Sequence, residues 1–142
     1  MKPCLVDVNV WLALLAVRHV HHETVSQWFA SLGAEGAGLC RIVQLAVIRL
    51  LGNRTVMGGD ALPAADAWNI LDRLQEDERL TFVGEPEGID SILPALFRYP
   101  TPTVKLVGDA YLAAFCMATS RTMVTTDHGF TQFRGLDLQL LR

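Results

Sequence analysis

The sequence has no apolar run long enough to cross a bilayer, no internal repeat, no low-complexity segment and no excess of positive charge. Its longest uninterrupted apolar stretches, Val10 to Val17 and Ala110 to Ala118, fall well short of a membrane span. Lys2 and Pro3, with Asp7 close behind, leave no apolar signal-peptide core, so the expected location is the cytoplasm. Only three cysteines occur, Cys4, Cys40 and Cys116, scattered among apolar neighbours. An odd, dispersed set excludes a disulfide frame and a zinc-ligand spacing, and points to buried free thiols in a reducing compartment. With a net charge of -3 no global basic field attracts nucleic acid, so any such role rests on a local patch or on metal ions. Charged residues make up 19% of the chain against 51% hydrophobic, which excludes a disordered chain.

That apolar content in 142 residues suits one compact domain, 1–142, with a sizeable core. Leu5 to Val8 reads as a short buried strand, with Asn9 as N-cap of a helix over Val10 to Val17. A second helix, His22 to Leu32, aligns Val25, Trp28, Phe29 and Leu32, and Gly33 closes it. A short strand ends at Cys40, and a helix over Ile42 to Leu51 buries Val43, Val47, Leu50 and Leu51 before Gly52-Asn53 stops it. After a turn at Gly58-Gly59-Asp60, Pro63 opens a helix over Ala64 to Gln75 with Ala67, Trp68, Leu71 and Leu74 aligned.

Leu80 to Val83 is a third strand and Ile89 to Phe97 a helix containing Pro94. Tyr99 to Thr103, with two prolines, is an extended loop. A helix over Val107 to Thr119 carries Asp109 in its first turn and buries Leu112, Ala113, Cys116 and Met117. Strands at Thr122 to Thr126 and Leu136 to Leu140 follow. Short buried strands alternating with helices describe an α/β fold, a mostly parallel sheet between helical layers. Ligands of such sheets bind beyond the carboxyl ends of the strands, where Asp7 and Asp127 lie.

Asp7 is a carboxylate among apolar neighbours, and an ionised carboxylate is costly to bury unless it is paired, hydrogen-bonded or bound to metal. Asp7, Asp109 and Asp127 each follow an apolar stretch at its passage into a helix or turn. In a parallel sheet all three converge on one cleft, where their mutual repulsion calls for a cation. Their hard oxygens suit Mg²⁺ or Mn²⁺, and an ion held there activates water against a phosphodiester. Each residue also has a structural explanation. Asp109 complements a helix dipole, Asp127 makes an Asx-turn before His128-Gly129, and Asn9 is an N-cap.

Leu5-Val6-Asp7-Val8-Asn9-Val10-Trp11-Leu12-Ala13 resembles the opening motif of PIN-domain ribonucleases, especially VapC-type toxins of bacterial toxin-antitoxin pairs. Gly108-Asp109-Ala110-Tyr111-Leu112-Ala113-Ala114 resembles their third acidic motif. Val124-Thr125-Thr126-Asp127-His128-Gly129-Phe130, with Phe133 and Gly135-Leu136, resembles the fourth. Eighteen residues separate Asp109 from Asp127, as the family has it, and the chain length, the His21-His22 helix and Trp28 also agree.

The resemblance implies a PIN-like three-layer α/β/α sandwich that cleaves RNA with Mg²⁺ or Mn²⁺. Asp7 and Asp109 are its principal metal ligands, Asp127 completes the site directly or through water, and Asn9 orients Asp7 or a water. It also implies a cognate antitoxin that buries the cleft, and a homodimer.

One position departs from the family. Where a second acid is usual, the helix after the second strand reads Arg41-Ile42-Val43-Gln44, and Gln44 brings an acceptor oxygen without charge. Three formal charges favour one tightly held ion over two. Arg41, Arg49 and Arg54 are the candidates for gripping RNA phosphates, with His19, His21 and His22 on another edge; Arg49 has the alternative of pairing with an internal acid. Trp28 and Trp68 have core packing or partner contact as alternative fates. Two other functions remain open: a PIN-like binding protein without turnover, motivated by Gln44, and a phosphoacceptor domain using Asp7.

Overall fold

Cys4, Leu5 and Val6 are all buried, as a strand with neighbours on both edges and helices on both faces requires. In this computed structural model, which describes residues 2–98 and 104–142 (Val104 by its backbone alone), they form β1 (Cys4–Val6) at the centre of a five-stranded sheet. The others are β2 (Ala37–Leu39), β3 (Leu80–Phe82), β4 (Thr122–Thr125) and β5 (Leu138–Leu140), in the order β3-β2-β1-β4-β5 with every pair parallel.

Seven helices are present among the described residues: α1 (Val8–Leu15), α2 (His22–Ala30), α3 (Arg41–Leu51), α4 (Arg54–Met57), α5 (Ala64–Leu74), α6 (Ile89–Leu96) and α7 (Val104–Thr119). α1 packs on α2 and α3, and α3 on α5, while α6 packs on α7. The result is the expected three-layer α/β/α sandwich. No helix among the described residues is long and apolar enough to cross a membrane. The chain runs from β1 to β2 and β3 on one side and places β4 and β5 on the other. The carboxyl ends of β1 and β4 are therefore the topological switch point, where open α/β sheets bind ligands.

Several boundaries differ from the sequence expectation, and two of the differences change a residue's role. β1 ends at Val6, and Asp7, not Asn9, caps α1: its carboxylate accepts from the Val8 N–H at 2.8 Å. Asn9 lies inside the first turn of α1 and is exposed. α7 starts at Val104, so Asp109 sits in its second turn, beyond the reach of a helix-end charge. The short α4 was unforeseen because Gly52-Asn53 reads as a stop. Asn53 in fact starts a new helix, its side chain accepting from Thr55 and Val56 N–H. α2 ends at Ala30, before Gly33, and Gly58-Gly59-Asp60 forms a 3₁₀ turn. The proline loop Tyr99 to Thr103 lies outside the described residues.

On α5, Ala67 and Leu71 are buried one turn apart, whereas Trp68, a helical step of about 100° away, is 42% exposed. Trp28 packs partly buried against the core, and Trp11 is fully buried with its ring edge-on to Phe29 at 6.2 Å. All three cysteines are free and buried, as expected. Burial pushes the Cys4 thiol up to about 11 and Cys116 up to about 12.

Gly38 in β2 is held against the centre of the sheet. A Cβ there would stand 2.8 Å from the Cys4 carbonyl oxygen and 3.0 Å from Arg121 Nη1, which itself donates to that oxygen at 3.1 Å. Gly38→Ala is expected to lower the melting temperature by roughly 3–10 °C, read by circular dichroism, because the backbone on one side and a bonded guanidinium on the other leave no room to yield.

Candidate active site

The exit from β1 is fixed by one further bond to β4: the Asp7 N–H donates to Val124 O at 2.9 Å. The residue is 7% exposed. One carboxylate oxygen takes the Val8 N–H, and the other accepts from the Thr125 hydroxyl at 2.6 Å. Burial pushes the Asp7 carboxyl above its ordinary value, opposed by the Thr125 and Val8 hydrogen bonds and by the charge of Lys105.

Thr125, wholly buried at the last position of β4, also accepts from the Asp127 N–H at 2.9 Å. One hydroxyl therefore ties the first acid of the chain to the last. Asp127 caps the following 3₁₀ turn by accepting the Gly129 N–H at 2.8 Å, so the Asx-turn reading accounts for one of its oxygens. Asp109 comes from α7, and burial together with the nearby Asp7 charge pushes its carboxyl up while Lys105 opposes the rise.

Asp7, Asp109 and Asp127 line one cleft of about 400 Å³, together with Asn9, Arg49 and Lys105. Gly129 floors the space between the last two acids. A Cβ there would lie 3.1 Å from Asp127 Oδ1 and 3.7 Å from Asp109 Oδ2, so the missing side chain leaves a cradle between the carboxylates. The Lys105 ammonium contacts Asp127 Oδ2 and lies 3.8 Å from Asp109 Oδ2. Among the described residues no three His, Cys, Asp or Glu side chains close on a single point. The donor set nonetheless fits a hard divalent cation: oxygen ligands only, two of the carboxyls raised by burial, and a cation already seated beside the other oxygens.

The remaining candidates divide. Arg49 lines the cleft and makes no ion pair with any described residue, against the alternative of an internal acid partner. Arg41 does not line it: its Nη1 donates to Gln44 Oε1 at 2.6 Å and its guanidinium lies over the Phe82 ring at 4.9 Å. Gln44 is buried as expected, but its oxygen faces Arg41 and is not among the cleft-lining groups. Arg54 stands beside Gly58 and Gly59, away from the acids. His19 borders a separate hollow of about 560 Å³ past the far end of α1, and His22 Nδ1 sits 2.7 Å from Ala13 O.

Sequence reasoning missed Thr125 and Lys105. The signal for Lys105 was its place four residues before Asp109, one helical turn away, hidden by starting α7 three residues late. The signal for Thr125 was a hydroxyl two residues before an acid in an apolar strand. Thr125→Val keeps the volume but removes the hydrogen bond that lowers Asp7. Metal-dependent activity is expected to fall about 10–100-fold, with the acid limb of the pH–rate profile moved to higher pH.

The sequence and fold match a known domain. Residues 4–136 match the family model of the PIN domain, and the chain belongs to the PIN domain family. It is 39% identical over 142 residues to Ribonuclease VapC41 of Mycobacterium tuberculosis, covering 96% of this chain and 97% of that one. It is 27% identical over 126 residues to Ribonuclease VapC38 of the same species, covering 88% and 85% of the two chains. Solved structures share the fold. Mycobacterium tuberculosis VapC20, a sarcin-ricin loop cleaving toxin, superposes with a TM-score of 0.65 at 19% identity over 90% of this chain and 92% of that one. VapBC-1 from nontypeable Haemophilus influenzae gives 0.67 at 14% identity over 96% of each chain.

Proposed function

We propose that the protein is the toxin of a toxin-antitoxin pair, an endoribonuclease that hydrolyses RNA phosphodiester bonds with Mg²⁺ or Mn²⁺. The observation that carries this reading is the convergence of Asp7, Asp109 and Asp127 on one cleft at the sheet's switch point, in a chain 39% identical to a ribonuclease. The whole chain, 1–142, acts as one PIN-like domain in the cytoplasm.

Asp7 and Asp109, with Asp127 direct or through water, would hold the divalent ion, which would supply an activated water and neutralise charge on the phosphate. The protein's own contribution is positional. Val8 N–H and Thr125 Oγ fix both oxygens of Asp7. Asp127 is held by its Gly129 bond, which leaves its second oxygen directed at Lys105. Asn9, polar and exposed on the cleft wall, orients a water. Arg49 offers a fixed positive charge for an RNA phosphate, the local attraction a chain of net charge -3 needs. Arg41 and Arg54 are placed to touch RNA only beyond the cleft.

The partners are a cognate antitoxin covering the cleft and a second copy of the chain. The exposed apolar residues Ile42 and Leu45 of α3 and Val107 of α7 favour such contacts. The direct test incubates single-stranded RNA with protein in EDTA and after Mg²⁺ or Mn²⁺ is restored. Cleavage only with metal is expected, and cleavage indifferent to EDTA overturns the reading.

A second reading, a PIN-like binding protein with little turnover, is favoured by one observation: Gln44 adds no charge, and its oxygen is taken by Arg41 outside the lining of the cleft. A carboxylate introduced by Gln44→Glu meets Arg41 first, so its charge is neutralised there and cleavage is expected to stay near the wild-type rate. A large gain in rate would show a site starved of charge and favour this second reading.

A further inference from the structure

We propose that Lys105 is the cleft's own exchangeable cation: its ammonium lies against the Asp109 and Asp127 oxygens that a divalent ion in the cleft would draw on, and so sets how tightly that ion binds. The inference rests on the reading of the three acids as metal ligands. Lys105 stands one helical turn before Asp109 on α7, which puts both side chains on one face. Its Nζ touches Asp127 Oδ2 and lies 3.8 Å from Asp109 Oδ2, bridging acids from two separate elements. A metal ion needs those oxygens, and the ammonium lies against them.

The charge balance gives this contact a role. Without metal, Lys105 offsets one of the three carboxylate charges, and a divalent ion that displaces it brings two positive charges in place of one. Gln44 supplies no fourth acid, so Lys105 and the ion compete for the same carboxylates. Displacement is mechanically cheap: the Lys105 side chain is 61% exposed on a flexible four-carbon stem, and its departure opens no core. Once displaced it stays tethered to α7 at the cleft, whose lining also includes Arg49 from α3.

The test is calorimetric titration of Mn²⁺ into metal-free wild type, Lys105→Met, Lys105→Arg, Asp7→Asn and Asp109→Asn. Lys105→Met is expected to bind one Mn²⁺ per chain roughly three- to tenfold more tightly than wild type, because the competing charge is gone. Lys105→Arg keeps the charge and is expected to stay near wild type. Wild-type or weaker affinity in Lys105→Met overturns the proposal, as does equal tightening in Lys105→Arg, which would make the effect steric. The two aspartate variants separate the layers of the argument. If they lose Mn²⁺ while Lys105→Met is unchanged, only the role of Lys105 fails. If they bind as wild type does, or no variant binds at all, the metal site fails and the role of Lys105 with it.

Discussion

Asn in place of Asp7 is expected to reduce metal-dependent RNA cleavage by about 10³-fold or more while leaving the fold intact. The substitution is nearly isosteric, and Asn is itself a good N-cap, so the Val8 N–H that Asp7 holds keeps an acceptor. What disappears is the charge at the most buried carboxylate of the cleft. Losing several kcal/mol of transition-state charge stabilisation corresponds, at about 1.4 kcal/mol per decade, to three decades or more of rate. Asp109→Asn is expected to act alike, since Asp109 and Asp7 are close enough for each charge to act on the other. Circular dichroism must show the native helix content in both variants. Cleavage within about tenfold of wild type would remove both residues from the catalytic machinery.

The parts of this account that were legible in the sequence are those written in local pattern. Cys4-Leu5-Val6 before Asp7 announces a central strand because only a strand covered on both faces is apolar at consecutive positions. The three acids were legible because each breaks an apolar stretch. Gln44 was legible as buried, since it stands between Val43 and Val47 on the inner side of α3. Its partner was not: that Arg41 takes its oxygen depends on a side-chain bond one turn back, which residue spacing alone does not specify.

The cap fell on Asp7 and not Asn9 because both are good caps and β1 ends two residues sooner than its valines suggest. The bridge from Thr125 to Asp7 joins residues 118 apart in sequence, and only the pairing of β1 with β4 brings them together. Among the arginines, the sequence offered Arg41, Arg49 and Arg54 as equals; the helical angle of α3 separates Arg49 from Arg41, and Arg54 lies beyond it on α4.

Divalent metal is expected to raise the melting temperature of the wild-type protein by roughly 6–12 °C at a concentration one hundred times its dissociation constant, and to do little for Asp7→Asn. Binding at that excess adds about 2.7 kcal/mol to the folded state. The sign of the pH dependence follows from Asp7. Burial raises its carboxyl in the folded state above the unfolded value, so the folded chain holds that proton more tightly. The metal-free protein therefore carries the full penalty of a buried charge above the raised pKa. It regains stability as the pH falls through that value towards the unfolded one. Asp109 is raised by burial and by Asp7, and contributes with the same sign.

Protons and metal compete for these oxygens, so the metal-induced rise in melting temperature is expected to shrink as the pH is lowered. Asp7→Asn, lacking the buried charge, is expected to melt at least as high as metal-free wild type near neutral pH. Differential scanning calorimetry with and without Mg²⁺ reads all of these effects. An equal metal-induced rise in wild type and Asp7→Asn would place the ion elsewhere on the protein.

The most direct test of the acidic cleft as the metal site is an anomalous difference map from crystals soaked in Mn²⁺. The expected result is one peak per chain about 2.1 Å from carboxylate oxygens of Asp7 and Asp109, facing Asp127 across the cradle above Gly129, with the Lys105 ammonium moved off Asp127. A peak confined to the histidines around His19 to His22, or no peak in the cleft at saturating Mn²⁺, would contradict it.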